Sequence, residues 1–390
     1  RIRPQLWHAL LYLRRVAPQQ YAHELQTLWA TDSLRRHLRM LLIAFMVAQF
    51  LRYPGARVVV FDRRRSFMVP CLALGGDWIE LGGRGHGVQP LRAVDQPEEL
   101  AWAHGWIVKA LRLRGHEIKA HTEAAITTAL AHVADLPADR RTLTSLHGFL
   151  AGDDGARKAL QVYLDGHGPY GRLFDGAVAS YGDASVMGIE TQDVMQLEAV
   201  APLVISAMFR AVQRQRLSGD EPKLVVIDEA WSLLQSDLFG REIEGWAREM
   251  RKFKAALVLA TQSLADLADG RMRVIFDQLG NRVYLPHAEA LRPQTRELYE
   301  RAGLLEEQIR VLAVARPKAE YLIQTGDVTR LVEIRLEDEA LRLCGASTPV
   351  DHGRALALLE QGIVPGAKFT QAWLAQTTAE WLAGRAQAAA

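Results

Sequence analysis

A short apolar strand that ends in two acidic residues is the feature that most constrains this chain. Within KLVVIDEAWSLL, residues 223–234, the apolar residues 224–227 follow one another without polar alternation, and Asp228 and Glu229 come directly after them. A continuous apolar run of this length predicts a strand buried on both faces, in the centre of a parallel sheet. Such folds bind their ligands at the carboxyl ends of the strands, where this pair of carboxylates is expected to lie.

Further apolar strands alternate with helices along the chain. Strands separated by helices in this way predict a doubly wound parallel sheet. Residues 92–165 carry Ala, Leu, Glu and Arg at helical spacing and predict a helical insertion with a break at 153–155. Helices are predicted from 41 to a stop at Pro54, over 193–216 and over 240–253, and strands at 56–62, 77–81, 185–190, 255–263, 281–286 and, in the tail, at AEYLIQ and LVEIRL.

Composition excludes several classes of protein. A chain of 390 residues with 49% hydrophobic and 24% charged residues is typical of a globular protein, and a net charge of +2 does not mark a nucleic-acid binder. Two cysteines, Cys71 and Cys344, cannot form a disulfide framework and are expected to be buried thiols. The longest charge-free apolar stretch, 40–51, is too short to span a bilayer. The 12 histidines lack metal-ligand spacing, so no transition metal is expected.

Polar residues at two strand ends indicate the chemistry of a nucleotide motor. In such a motor, an aspartate after a buried strand holds Mg²⁺ through water and the next glutamate polarises the attacking water, which are the roles predicted for Asp228 and Glu229. Gln262 stands at the end of the following predicted strand. Its amide can donate and accept hydrogen bonds at once, as a sensor of the phosphate and of that water must. The alternative interpretation is a pair of solvated acids and a satisfied amide at ordinary strand ends.

Several segments, in this order, resemble one protein family. They are QFLRYPGARVVVFD, GPYGRLFDG, LVVIDEAWSLL, REMRKFKAALVLATQSLADL, NRVYLP and LCGAS, and the resemblance runs from about residue 41 to beyond 347. Through them the chain resembles the VirB-type energising ATPases of type IV secretion, in particular the conjugative-transfer ATPases called TrbE and TraC. Asp228 and Glu229 then correspond to the Walker B pair of that family, and Gln262 to its sensor.

The resemblance implies a RecA-like P-loop NTPase fold, an α/β doubly wound parallel sheet with an inserted all-helical subdomain. The core would comprise residues 41–91 and 166–345, the insertion 92–165, and the C-terminal helices 346–390, after an atypical segment at 1–40. The chain does not begin with Met and lacks the large amino-terminal domain of the family. It is therefore expected to be the carboxyl-terminal motor domain of a longer protein.

The resemblance also implies an activity and a place in the cell. ATP would be hydrolysed with Mg²⁺ by a homo-hexamer, peripherally associated with the cytoplasmic face of the bacterial inner membrane. The hexamer would act with other components of the secretion system in pilus biogenesis and in the transfer of DNA or protein. A non-hydrolysing remnant or assembly subunit is one alternative. A DNA-pumping motor of the coupling-protein or FtsK-like kind is another, although near-neutral charge offers it little support.

The resemblance extends to residues beyond the Walker B pair. Thr261, beside Gln262, is expected to contact the nucleotide. Arg251 is interpreted as an arginine finger that reaches the γ-phosphate of a neighbouring subunit, with a solvated basic helix face as the alternative. Arg65 and Ser66 lie past the strand that ends in Asp62 and are expected to contact the nucleotide or a neighbouring subunit.

One departure from the family concerns its phosphate loop, G-x-x-x-x-G-K-[ST]. The corresponding place, 33–40, reads SLRRHLRM; the first glycine of the chain is Gly55, and no Gly-Lys dipeptide occurs. Arg35, Arg36 and Arg39 could attract phosphate, but side chains do not replace a cradle of backbone N–H groups. Two hypotheses account for this: translation of residues 1–40 in the wrong reading frame, or a diverged, non-binding paralogue.

The missing loop has structural consequences. The strand that leads into it is expected beside the strand at 224–227, so that its absence would leave the edges of two central strands unpaired. Asp228 and Glu229 would also lie close together without a metal phosphate to neutralise them, and the pKa of one of them is expected to be raised.

Overall fold

The computed structural model describes residues 32–81, 87–175, 183–229 without 198, 250–261, 264, 276, and 279–389 without 318. Side chains are described from Arg39 to Thr378, with those of 251 and 252 excepted. These residues form two compact units. One unit takes in the described residues up to Trp78, Ala184–Gly188 and the described residues from Glu221 on. The other comprises Ile79–Asp183 and Ile189–Asp220.

The first unit is built on the predicted sheet. In the described residues the sheet has five strands in the order β2-β3-β1-β4-β5. β1, β4 and β5 are parallel, with Phe61 opposite Ile227 and Ile227 opposite Leu259. All five residues of β4 are buried, as its unbroken apolar run predicts. The strands are β1 Arg57–Asp62, β2 Asp77–Glu80, β3 Val186–Glu190, β4 Lys223–Ile227 and β5 Ala255–Leu259.

One helix covers the centre of this sheet. Helix α1, Asp32–Phe50, begins before the predicted start at 41, since the preceding run contains neither Gly nor Pro to stop it. Its buried residues recur at helical spacing and pack against apolar side chains of β1 and β4. These residues are Met40, Leu41, Ile43, Ala44 and Val47 on α1, with Val58, Val60, Leu224 and Val226 on the strands.

The predicted gap beside the central strand is not observed. β4 pairs with β1 on one side and with β5 on the other, so the expectation that its edge would be unpaired is wrong. Among the described residues the end of the sheet is β5, whose side chains are half-buried or exposed where those of β4 are buried. Any further strand would therefore lie beside β5 and not beside β4.

Both cysteines lie in the first unit. Cys71, on helix α2 (Met68–Ala73), and Cys344 are free and buried, which confirms the prediction of buried thiols. Burial raises the pKa of the Cys344 thiol to about 12. Among the described helices, none combines the length and the apolar character that crossing a bilayer requires.

The second unit is built around helices. Trp106 is fully buried within it and donates from Nε1 to the Leu203 carbonyl at 3.0 Å. The helix predicted at 193–216 is interrupted between Met195 and Ala201, because Pro202 follows and disfavours helical conformation in the residue before it. The helices are α3 Pro97–Leu113, α4 Ala120–Ala134, α5 Leu143–Phe149, α6 Asp154–Leu160, α7 Gly171–Phe174, α8 Gln192–Met195 and α9 Ala201–Arg216.

Three later strands do not join the parallel sheet, contrary to prediction. They form a separate antiparallel sheet in the order β6-β7-β8. Only the two residues Gly326 and Asp327 separate β7 from β8, and so short a connection permits only an antiparallel hairpin. The remaining elements are β6 Asn281–Tyr284, α10 Pro293–Arg301, α11 Glu306–Val314, β7 Glu320–Thr325, β8 Val328–Glu333, α12 Asp338–Cys344, α13 Pro349–Glu360 and α14 Ala367–Ala389.

The predicted domain boundaries are not settled by this division. Every element between 92 and 165 is helical, yet the compact unit that contains this stretch also takes in residues on either side of it. The limits assigned to the core, to the insertion and to the C-terminal helices stay predictions.

Candidate functional site

The acidic pair lies at the carboxyl end of β4. Asp228 and Glu229 follow the last residue of the strand and are almost fully buried, with 3% and 2% of their surface exposed. The Asp228 N–H donates to the Phe61 carbonyl at 2.8 Å, which fixes the backbone beside β1. Glu229 has a φ of +52°, a left-handed conformation that non-glycine residues adopt at a cost. Two carboxylates are thus held together in a buried, strained place at the edge of the sheet.

Two arginines neutralise this pair. The Nε atom of Arg39 lies 2.7 Å from Oδ1 of Asp228, and its Nη2 donates to Oδ2 at 3.1 Å. The same Nη2 lies 3.6 Å from Oε1 of Glu229. Arg63 donates from Nη1 to Oε2 of Glu229 at 2.7 Å. All four carboxylate oxygens are therefore within 3.6 Å of a guanidinium nitrogen.

The sequence brings these arginines to the pair for two local reasons. Phe61 and Ile227 are partners in parallel strands, so the residues that follow them, including Arg63 and Glu229, emerge at the same edge of the sheet. Arg39 stands four residues before the buried Ile43 on α1, on the face of the helix that meets the sheet. Arg63 is a site residue that the sequence analysis missed, although its position directly after β1 carries that signal.

The loop after β1 is held by buried polar contacts. Asp62 is fully buried and accepts a hydrogen bond from the Phe67 N–H at 2.8 Å, just before α2 begins. Ser66 is also buried, and its hydroxyl donates to the Arg63 carbonyl at 3.2 Å. The Ser66 hydroxyl therefore braces the residue that contacts Glu229. A contact between Ser66 and a nucleotide stays a prediction.

Backbone strain is concentrated at the same edge. Arg64 and Arg65 have φ values of +73° and +58°, so that two consecutive non-glycine residues are left-handed. Together with Glu229 they place three such residues after the ends of the neighbouring strands β1 and β4. Strain of this kind is retained where the surrounding structure enforces it, often at functional sites. Arg65 lies half-buried in this loop, and its predicted role toward a nucleotide or a neighbouring subunit stays a prediction.

The remaining predicted residues follow or precede β5. Thr261 comes after β5, at the same edge as the acidic pair, and is half-buried. Gln262 lies outside the described residues. Arg251 belongs to a 3-10 turn, Met250–Phe253, that precedes β5, and its side chain is not described. A parallel strand of five residues, about 16 Å long, separates this turn from the acidic edge. In its own chain Arg251 is therefore remote from the pair, and its role toward a neighbouring subunit stays a prediction.

The electrostatics of Asp228 follow from its burial. Burial raises the pKa of Asp228 from 3.8 to about 6. The Arg39 guanidinium acts in the opposite direction, and the neighbouring Glu229 carboxylate raises the pKa further. The expectation of a raised pKa is confirmed. The expectation that the pair would lack a neutralising cation is wrong, since Arg39 and Arg63 supply two.

A Mg²⁺–nucleotide does not fit this arrangement. Carboxylate oxygens are suitable ligands for Mg²⁺, either directly or through water. Here, however, guanidinium nitrogens already stand at every carboxylate oxygen of Asp228 and Glu229. The sequence also offers no Gly-Lys dipeptide before α1 to form a phosphate cradle. In its observed geometry the site is therefore matched to arginine and not to a metal phosphate.

Known proteins resemble this chain over most of its length. Residues 183–300 match the model of the family described as the AAA-like domain. A probable conjugal transfer protein TrbE of Sinorhizobium fredii is 32% identical over 330 residues, which cover 81% of this chain and 48% of that protein. The conjugal transfer protein TrbE of Rhizobium radiobacter is 32% identical over 86% of this chain and 41% of its own length. The chain thus spans about half the length of these relatives or less.

A solved structure shares the fold. The VirB4 structure of Thermoanaerobacter pseudethanolicus matches with a TM-score of 0.55 and 20% sequence identity, and the match covers 77% of this chain and 86% of that one. This likeness and the AAA-like match confirm the predicted RecA-like α/β fold. The resemblance inferred from the sequence segments is confirmed as well: over four-fifths of its length the chain is similar to the TrbE proteins of conjugal transfer, and its fold is that of VirB4.

Proposed function

We propose that this chain is the motor domain of a TrbE-type protein that energises conjugal transfer through a type IV secretion system by hydrolysing ATP with Mg²⁺. One observation carries the proposal: a buried Asp-Glu pair ends the central strand of a RecA-like sheet, at the edge where such folds bind ligands. The similarity to two TrbE proteins covers 81% and 86% of the chain and supports the same role.

The proposal includes partners and a place in the cell. The domain would form a homo-hexamer, peripherally associated with the cytoplasmic face of the bacterial inner membrane. It would act with other components of the secretion system on DNA or protein in transfer. The names of the relatives, which refer to conjugal transfer and to type IV secretion, support this aspect.

The geometry sets a condition for the activity. Asp228 and Glu229 can serve ATP hydrolysis only after Arg39 has moved, because its guanidinium stands in front of both carboxylates. Glu229 must also be released from Arg63 before it can accept a hydrogen bond from water. A phosphate cradle has to come from outside the described residues, since the described start of α1 offers no glycine.

Hydrolysis by the purified chain tests the proposal. Phosphate release from ATP is measured with and without Mg²⁺, next to Glu229→Gln, which keeps the shape of the side chain and removes its charge. The proposal predicts Mg²⁺-dependent release that Glu229→Gln reduces at least about 100-fold, within the range expected for the loss of a general base. Release that Glu229→Gln leaves unchanged would show that hydrolysis does not occur at this site. Light scattering on the same sample tests the hexamer.

A second function is favoured by one observation. The paired arginines suit a subunit that assembles with its partners and hydrolyses nothing, because the acidic pair is already neutral. This alternative predicts a hexamer without any phosphate release. It also predicts that donor cells carrying Glu229→Gln transfer DNA as often as the wild type. A drop in transfer frequency in that strain would speak for the motor and against the assembly subunit.

A further inference from the structure

We propose that Arg39 is an internal counter-ion that closes the Asp228–Glu229 pair against divalent cations, so that the folded chain keeps this site neutral without a metal or a nucleotide. The proposal rests on the ion pairs alone, and it holds whether or not the assembled protein hydrolyses ATP. It assigns to Arg39 a role that a simple attraction for phosphate would not require.

The charges at the site balance within the chain. Two carboxylates, Asp228 and Glu229, face two guanidinium groups, Arg39 and Arg63. Arg39 contributes most to this balance because it contacts both acids and presents two nitrogen atoms to Asp228. An arrangement in which the planar guanidinium faces both oxygens of a carboxylate is the strongest geometry available to this pair.

Burial distinguishes Arg39 from a surface arginine. Only 6% of its side chain is exposed, against 26% for that of Arg63. A buried arginine without its acid, or a buried acid without its arginine, would leave an uncompensated charge in a low-dielectric place. The two sides therefore depend on each other, and neither can leave while the other stays buried.

The helix that carries Arg39 is itself fixed. The residues that follow it, Met40, Leu41, Ile43 and Ala44, are buried against β1 and β4. The backbone of Arg39 therefore cannot withdraw without uncovering some of the apolar core. A divalent cation that approached Asp228 would have to displace the guanidinium by rotation of its side chain alone, and would meet a positive charge on the way.

Thermal unfolding with and without Mg²⁺ tests this proposal. For the wild-type chain the midpoint is expected to be the same in EDTA and in millimolar MgCl₂. Arg39→Gln is expected to have a lower midpoint in EDTA and to gain about 2–5 °C with MgCl₂, because the exposed acidic pair then binds the cation. Arg112→Gln, the same substitution at an exposed arginine, is the matched control and should gain nothing.

A double variant keeps the test decisive when Arg39→Gln does not fold. Arg39→Gln with Asp228→Asn removes one charge of each sign and is expected to fold without metal, with a higher midpoint in EDTA than Arg39→Gln and without a response to MgCl₂. A double variant no more stable than Arg39→Gln would overturn the proposal. So would a wild-type midpoint that rises with MgCl₂, or a control that gains as much as Arg39→Gln.

The outcomes separate this proposal from the proposed function. A wild-type chain that responds to MgCl₂ and hydrolyses ATP contradicts the internal counter-ion and leaves the motor intact. A wild-type chain that does neither, beside an Arg39→Gln variant that responds to MgCl₂, supports the counter-ion and contradicts ATP hydrolysis by the chain alone.

Discussion

Raising the pH should destabilise the folded chain through Asp228. Burial holds the pKa of this carboxyl at about 6, against an ordinary value of 3.8. Between about pH 4 and about pH 6 the folded chain keeps a proton at Asp228 that the unfolded chain has lost. The contribution of this group to stability is therefore complete below about pH 4 and is lost as the pH rises through about 6.

The size of the effect follows from the shift. A displacement of about 2 pH units, at about 1.36 kcal/mol for each unit, corresponds to about 3 kcal/mol. Urea unfolding, followed by the fluorescence of the tryptophans, gives the free energy of unfolding of the wild type and of Asp228→Asn at each pH. The wild-type value minus the Asp228→Asn value should fall by about 3 kcal/mol from about pH 4 to about pH 7.

A control and a refuting result complete this experiment. Asp139→Asn, which removes an exposed carboxylate, controls for the loss of one negative charge. A difference between wild type and Asp228→Asn that stays constant or grows with pH would refute the reasoning. It would mean that the ion pair with Arg39 outweighs burial and that the ionised form of Asp228 is the favoured one.

Three further predictions concern other regions of the chain. Burial alone would raise the pKa of Asp153, but hydrogen bonds from Thr122 and from the Ala156 N–H outweigh it and lower the pKa to about 2. The stability that Asp153 contributes should therefore be lost as the pH falls from about 4 to about 2, and urea unfolding of Asp153→Asn should lack this loss. Trp106→Ala should cost about 3–5 kcal/mol of unfolding free energy through the cavity it leaves, whereas Trp106→Phe, which mainly loses the hydrogen bond, should cost much less; similar losses would contradict the packing argument. At Arg64, whose φ is +73°, the glycine variant should be more stable than the alanine variant by about 1 kcal/mol in urea unfolding, and the reverse order would show that this backbone is not strained.

Much of the fold is encoded in local patterns of the sequence. The unbroken apolar runs before Asp62 and Asp228 predict buried parallel strands, and both are observed. The parallel arrangement brings the residues after these strands to one edge, which is why the acidic pair and the loop around Arg65 are neighbours. Features that depend on a single residue type at a strand end are readable in this way.

Other features depend on relations that local patterns do not contain. The segment before 41 stands out in the sequence only by its missing glycines, yet its last residues continue helix α1 and deliver Arg39 to the acidic pair. Periodicity alone does not show which of two alternating arrangements a strand joins, and for this reason the prediction that β6, β7 and β8 belong to the parallel sheet is wrong. The two-residue connection at Gly326 is the signal that distinguishes them.

The central claim of this account is that Arg39 and Asp228 neutralise each other inside the fold. A double-mutant cycle tests it most directly. The free energy of unfolding is measured near neutral pH for the wild type, Arg39→Gln, Asp228→Asn and the chain with both substitutions. The account predicts that Arg39→Gln costs about 2 kcal/mol more when Asp228 is present than when it is replaced. Equal costs in both backgrounds, within about 0.5 kcal/mol, would contradict it.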